Sequence, residues 1–333
     1  MRRDGADMTN RNRLSMERRI FLKTAMAVAG GAPFAAAAEG SSFSSAETEF
    51  SVPKDRVVKY FNGGWRMYMF SNRTIDIMLS TLFRSPSGRL VVVDGGWAKD
   101  GEFLLGVLRQ FGGIVDTWFV THAHGDHYRG LGAILKKPRC GGLKIGRVVL
   151  DFPPQDFIAS TEKGCVPHVR EFLADLAKSK VKTEAPAPGQ MYDFGEGLSF
   201  ECLNGYDLSM RRDAINNSSI CYRVENGGKS VLVTGDIAAD MGDKLLKTLP
   251  AGKLKCDVCF LSHHGQNGAK KNFYEAVKPE VCIWPTPQWL WDNDFGGTHG
   301  PGSGPFLTNY TKCWMQELGV KRQYLLTRDC VFT

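Results

Sequence analysis

Short apolar runs that stop abruptly at small or ionisable residues set the rhythm of this chain. Leu90-Val91-Val92-Val93 ends on Asp94-Gly95-Gly96, and Trp118-Phe119-Val120 ends on Thr121-His122-Ala123-His124. Val231-Leu232-Val233 gives way to Thr234-Gly235-Asp236, and Phe260-Leu261 to Ser262-His263-His264-Gly265. Runs this short, bounded by glycine and polar residues, predict buried strands. Trp65 to Phe70 and Ile75 to Leu79 alternate apolar with polar positions, which predicts antiparallel strands. Further strands are predicted at Val148–Leu150, Leu198–Leu203, Ile220–Val224, Ser230–Val233 and Val281–Trp284, with Asn226-Gly227-Gly228 as a hairpin turn. Helical spacing marks Glu102 to Phe111, where Phe103, Leu104, Val107 and Leu108 share a face, and predicts helices at Tyr128–Leu135, Val166–Lys178 and Ile237–Leu249. Strands alternating with helices define an α/β fold, whose ligand sites lie at strand ends.

The chemistry concentrates after the strand ending at Val120. His122, His124 and His127, together with Asp126, fall within six consecutive positions in a chain of only seven histidines. On a helix His122 and His124 would point about 200° apart. In a loop leaving a strand they can converge on one ion while Asp126 and His127 reach a second. Imidazole and carboxylate suit zinc, iron or manganese. His168, amid Arg170, Glu171 and Asp175, reads as a surface residue.

The spacing His-x-His-x-Asp-His resembles the metal-binding signature of the metallo-β-lactamase superfamily. Asp94-Gly95-Gly96, Thr234-Gly235-Asp236 and Ser262-His263-His264-Gly265 follow that family's order. The resemblance runs from Val57 to Pro285. Its Asn-Ser-Ser stretch and final His-His-Gly look most like two branches: the hydrolase domain of DNA-uptake competence proteins and the phosphorylcholine-esterase-like secreted enzymes. The family implies a four-layer αββα sandwich with the metals between the sheet edges. It implies that His122 and His124 bind a first metal, that Asp126, His127 and His263 bind a second, and that Asp236 bridges them. Asp94 then supports the metal loop from behind, and Asp126 belongs to the catalytic set as well. His264 is expected to contact substrate or protonate the leaving group. Family members commonly carry another first-metal histidine about twenty residues before the bridging aspartate. Here that region reads Ile215-Asn216-Asn217-Ser218-Ser219, so the first metal is expected to be held weakly or completed by water or an amide oxygen.

Composition adjusts this picture at the ends of the chain. The 333 residues are 43% hydrophobic and 23% charged, ordinary for a globular protein. The net charge of +7 is concentrated at the N-terminus, because residues 1–38 hold seven Lys and Arg against three Asp and Glu. The remainder holds 35 basic and 32 acidic residues, a balance of +3. That balance does not favour nucleic acid as a partner, since phosphate contacts need clustered cations. Glu17-Arg18-Arg19-Ile20-Phe21-Leu22-Lys23 resembles a twin-arginine export signal, and Ala35 to Ala38 offers a cleavage site. Residues 1–38 are therefore expected to be a signal peptide of a periplasmic or secreted protein, with no membrane span left after its removal. Residues 39–55 follow as a linker, and 56–333 as the hydrolase domain, with a C-terminal extension from about 286.

Nine cysteines leave at least one thiol free or paired between chains. Cys256 and Cys259 lie in an apolar strand and read as small core residues on opposite faces. In the extension, the glycine-rich loop around His299 predicts a mobile flap. His299 is a candidate for the missing ligand or an acid, and Trp289 and Trp291 for the substrate pocket. The expected activity is metal-dependent hydrolysis of phosphoester bonds in a small-molecule or phosphodiester substrate, by attack of a metal-bridging hydroxide. One or two zinc ions are expected, with Mn2+ or Fe2+ as alternatives. Hydrolysis of a lactam, lactone or thioester, or non-catalytic metal binding, are the competing readings.

Overall fold

A computed structural model describes residues 50–333. The expected export signal (1–38) and the first part of the expected linker (39–49) lie outside the described residues. One sheet contains β1 (Val57–Val58), β2 (Arg66–Met69), β3 (Thr81–Arg84), β4 (Leu90–Val93), β5 (Ile114–Phe119), β6 (Lys144–Val149) and β7 (Lys182–Glu184). The other contains β8 (Met191–Gly195), β9 (Leu198–Cys202), β10 (Tyr222–Asn226), β11 (Lys229–Val233), β12 (Val258–Phe260), β13 (Val281–Trp284) and β14 (Arg322–Leu325). β15 (Cys330–Phe332) returns to the first sheet, whose order is β1-β15-β2-β3-β4-β5-β6-β7; the second runs β14-β13-β12-β11-β10-β9-β8. β4, β5 and β6 are parallel neighbours, as are β11, β12 and β13. Their carboxyl ends therefore gather at one edge of each sheet.

Alternation along the central strands produces the layers. Val91, Val93 and Phe119 face inward to Phe200, Tyr222, Val231 and Val233 of the second sheet. Phe119 stacks on Phe200 with ring centroids 4.8 Å apart and 2° between planes. Leu90, Val92 and Trp118 face outward, against α1 (Gly101–Gln110), α2 (Gly125–Leu135) and α4 (Val166–Ser179), which bury Leu104, Leu108, Leu131, Ile134, Phe172 and Leu176. A short α3 (Gln155–Thr161) precedes α4. On the far side, Leu232, Cys259 and Cys282 meet Met241 and Leu245 of α5 (Ala239–Thr248), Phe273 and Val277 of α6 (Lys271–Val277), and Met315 of α8 (Thr308–Glu317). α7 (Gln288–Trp291) is a single turn between them. Each fully buried side chain of this size stabilises the fold by roughly 1.5–3 kcal/mol. The expected αββα sandwich is the observed fold.

Several expectations change. Ile75–Leu79 alternates like a strand yet is irregular, because Trp289 Nε1 donates to Ile75 O at 2.7 Å and Thr74 Oγ1 takes the Asp76 amide at 3.2 Å. Phe50, expected in a linker, packs edge-on against Tyr68, Phe70, Phe103 and Phe111, and exchanges two hydrogen bonds with the Gln110 side chain. The C-terminal stretch is no appendage, since β14 extends one sheet and β15, buried throughout, is inserted in the other. α2 starts at Gly125 rather than Tyr128, so Asp126 and His127 sit in its first turn. The nine cysteines are unpaired, with Cys256 and Cys259 buried in the same cluster because Cys256 precedes β12. Among the described residues no helix is long and apolar enough to cross a membrane.

Candidate metal centre

Every element of the centre leaves the carboxyl end of a parallel strand. Asp94 follows β4, Thr121 to His127 follow β5, Asp236 follows β11, and His263 and His264 follow β12. The two sheets meet at Gly235, whose φ of +52° is open to glycine and where a Cβ would stand 2.9 Å from Ser219 Cβ and 3.1 Å from Thr121 Cβ. A larger residue there would push Asp236 away from the histidine loop.

Four side chains converge. His264 Nε2 lies 3.1 Å from both Asp126 Oδ2 and Asp236 Oδ2, and His127 Nε2 lies 3.3 Å from Asp236 Oδ2 and 3.6 Å from Asp126 Oδ2. Ligand atoms around a tetrahedral ion with bonds of about 2.0–2.1 Å stand roughly 3.3 Å apart. Outer bonds fix which ring nitrogen faces inward. His127 Nδ1 donates to Asp94 Oδ2 at 2.8 Å, and His264 Nδ1 donates to the Pro285 carbonyl at 3.0 Å. That leaves both Nε2 lone pairs pointing into the cluster. His127 Nε2 and Asp236 Oδ1 are buried without a hydrogen-bond partner, which the chemistry of a bound cation would satisfy.

A second vertex adjoins the first. His122 Nε2 and His124 Nδ1 face each other at 3.2 Å, and His122 Nε2 lies 3.9 Å from Asp236 Oδ2. His122 Nδ1 donates to Thr121 Oγ1 at 3.1 Å, while that hydroxyl donates to Asp94 at 2.9 Å. His124 Nε2 donates to Glu162 Oε2 at 2.8 Å. The donor set fits divalent zinc, iron or manganese at both vertices, with Asp236 between them.

Electrostatics describe the protein without its ions. Burial opposes charge on His264, but Asp236 and Asp126 outweigh it and push its pKa up to about 9. Burial likewise opposes charge on His127, which Asp236, Asp126 and Asp94 nonetheless raise well above 6.5. Asp126 and Asp236 stay ionised despite burial, held well down by His127 and His264. Two imidazolium groups thus stand where cations would neutralise the carboxylates. Burial, followed by His127, keeps His122 neutral.

The pair His263-His264 resolves against the simplest reading of the sequence. His264, not His263, occupies the position beside Asp126 and Asp236. Both residues are left-handed (φ 50° and 57°), as is Gly265 (φ 76°), and this turn rotates the second ring inward. Thr286 Oγ1 donates to His264 O at 2.6 Å, and a Cβ on Gly265 would meet Trp284 at 2.4 Å, so the turn is pinned. His263 sits alongside, its Nδ1 unpartnered and its Nε2 3.5 Å from Asn216 Nδ2. His299 is not brought to the cluster: it is exposed, and its Nδ1 donates to Phe295 O at 2.8 Å within its own loop. Trp291 packs edge-on against Trp284, and Trp289 Nε1 donates to Ile75 O.

The polar stretch without a histidine has structural work. Asn217 Oδ1 caps α5 by accepting from the Ala238 and Met241 amides, and Ser219 Oγ accepts from the Asp236 amide at 3.0 Å. Glu162 and Cys165, which sequence reasoning passed over, lie with His124 in a group whose polar atoms are all within 4.8 Å. No local motif marks them, because they come from the α3–α4 connection, 38 and 41 residues beyond His124.

An αββα sandwich with carboxylates and histidines gathered at matched strand ends is suited to hold divalent metal ions. Residues 75–164 match the family model described as the metallo-beta-lactamase superfamily. It is 25% identical to Recombination protein 2 of Haemophilus influenzae over 224 residues, 65% of this chain and 24% of that protein. It is 27% identical to ComE operon protein 3 of Bacillus subtilis over 172 residues, 51% of this chain and 20% of that protein. The chain thus spans about a quarter or less of these curated relatives. Among solved structures, the metallo-beta-lactamase fold protein YhfI from Bacillus subtilis is similar with a TM-score of 0.48 and 13% identity, over 80% of this chain and 99% of that one.

Proposed function

We propose that this protein hydrolyses phosphoester bonds, with phosphodiesters as the favoured substrates, using two divalent cations. The observation that carries the reading is the convergence of Asp126, His127, Asp236 and His264 at ligand spacing, with each histidine held from behind by an acceptor. Asp126, His127 and His264 would hold one ion, His122 and His124 the other, and Asp236 both. Zinc suits this donor set, and manganese or iron(II) are the alternatives. Bound there, the cations supply Lewis acidity and lower the pKa of water toward neutrality. His263 lies beside the ligands but outside their set; burial favours its neutral form, and with Nε2 accepting from Asn216 its free Nδ1–H is suited to donate a hydrogen bond to a substrate oxygen. The choice of phosphoester over lactam rests on the Asn-Ser-Ser and His-His-Gly features of this sequence. Nucleic acid is the less favoured substrate, given the charge balance of residues 39–333.

Assays of metal-loaded protein on bis-p-nitrophenyl phosphate, phosphorylcholine esters, single-stranded DNA and nitrocefin test the reading. Turnover of a phosphodiester is expected. Turnover of nitrocefin with silence on every phosphoester would overturn it. Export through the twin-arginine segment belongs to the same proposal, and retention of an Arg18→Lys, Arg19→Lys double variant in the cytoplasm is its expected signature.

A further inference from the structure

Two classes of distance surround the centre. Atoms suited to share an ion stand 3.1–3.9 Å apart: His264 Nε2 to Asp126 and Asp236, His127 Nε2 to the same carboxylates, and His122 Nε2 to His124 Nδ1 and Asp236. Atoms that orient a ring from behind stand 2.8–3.1 Å away: Asp94 behind His127, Pro285 O behind His264, Thr121 Oγ1 behind His122. Glu162 Oε2, 2.8 Å from His124 Nε2, falls in the second class. That spacing is a charge-assisted hydrogen bond and is too short for two ligands of one tetrahedral ion, which stand about 3.3 Å apart.

We propose that Glu162 is the positioning residue for the first metal, holding His124 with Nε2–H turned outward so that the Nδ1 lone pair joins His122 Nε2 on the ion. The first position lacks a third histidine, so its affinity depends more on how well its two imidazoles are oriented. His127 and His264 are buried and clamped from within the strand-end core, whereas the His124 side chain is 21% exposed and relies on Glu162. Glu162 Oε1 also accepts from the Ile215 amide at 3.3 Å, joining His124 to the segment that carries Asn216 to Ser219. Cys165 Sγ lies 3.9 Å from Glu162 Oε2 and within 4.8 Å of the facing His124 nitrogen, and this assignment leaves it outside the ion's ligand set. The inference rests on the two-ion reading above.

The test is metal stoichiometry by elemental analysis and stepwise affinity from competition with a chromophoric chelator, on wild type, Glu162→Ala, Glu162→Gln and Cys165→Ser. Wild type is expected to bind two zinc ions. In Glu162→Ala one of the two should weaken about 10–100-fold with the other unchanged. Glu162→Gln, which keeps an acceptor oxygen, should recover part of the loss, and Cys165→Ser should match wild type. Cobalt substitution gives an independent spectrum, without a thiolate charge-transfer band. Unaltered stepwise affinities in Glu162→Ala would overturn the inference while leaving the two-ion reading intact. Equal weakening of both ions, with a lowered melting point of the metal-free variant, would mark a folding defect and overturn it too. Failure of wild type to bind any divalent ion would remove the functional reading and the inference together.

Discussion

Asp94 Oδ2 stands 2.8 Å from His127 Nδ1, with both side chains fully buried, and this bond ties the turn after β4 to the metal centre. The same carboxylate receives the Thr121 amide and hydroxyl, so one residue fixes both the start of the histidine loop and the ring at its end. Asp94→Asn is expected to keep the fold and weaken binding of the ion at His127 about 10–100-fold. Asp94→Ala, which strips a buried pair of one partner, should cost about 3–5 kcal/mol in the metal-free protein. Chelator competition and urea unfolding measure the two. An Asn variant with wild-type affinity would show that His127 needs no orienting carboxylate.

The adjacent histidines make opposite predictions. His264→Ala removes a side chain 3.1 Å from both carboxylates and should lose one equivalent of metal. His263→Ala should retain both equivalents and lose about 10²–10³-fold in turnover of a poor-leaving-group phosphodiester, the worth of one hydrogen-bond donor to developing charge. The loss should shrink on a p-nitrophenyl ester, whose leaving oxygen spreads its charge into the ring and needs less stabilisation. Reversal of the stoichiometries would return the ligand role to His263.

What could be read from the sequence divides along physical lines. The gathering of His122, His124, Asp126 and His127 was legible because contiguous residues after a strand share one turn, and Val91, Phe119 and Val231 betrayed the sheets through runs too short for helices. The choice between His263 and His264 was not legible, because it depends on three consecutive left-handed residues held by Trp284 and Thr286. Glu162 was silent because its partner is tertiary. Ile75–Leu79 misled because alternation reports burial, while strand pairing needs free backbone groups that Trp289 and Thr74 had taken. β15 was hidden in a three-residue segment that owes its place to Met67, Tyr68 and Met69 across the ladder.

Two glycines with opposite surroundings test how tightly the centre is framed. A Cβ on Gly130, in α2, would stand 1.9 Å from the Gly95 carbonyl, while the Gly130 amide donates to Gly96 O at 2.9 Å. Gly130→Ala must therefore push α2, with Asp126 and His127, away from the Asp94 turn. A loss of about 1–3 kcal/mol or more is expected, with weaker metal binding. Gly106, in α1, has nothing within 4 Å of its would-be Cβ. Gly106→Ala should stabilise the protein by about 0.5–1 kcal/mol through helix propensity alone. Thermal unfolding of both variants decides the matter, and a harmless Gly130→Ala would mean that α2 is not packed on that turn.

Away from the centre, Asp257 gives the protein an acid-sensitive joint between β11 and β12. Its Oδ2 accepts from the Ser230 amide and hydroxyl, each at 2.8 Å, and Oδ1 faces Lys229 Nζ at 3.3 Å. Burial raises its pKa, but the Ser230 bonds and Lys229 outweigh that and hold it below 3.8. A carboxylate whose folded pKa lies below its unfolded value of about 3.9 stabilises the fold fully above that value. The contribution is lost as the pH falls through the folded pKa, when the folded protein takes up the proton as well. Asp257→Asn should therefore cost about 1 kcal/mol near neutrality, the worth of a typical hydrogen bond to this group. The difference from wild type should narrow once the pH drops below about 4. Urea unfolding of both proteins near pH 7 and again near pH 3 measures it. An undiminished difference in acid would assign the effect to side-chain shape rather than to the ionised carboxylate.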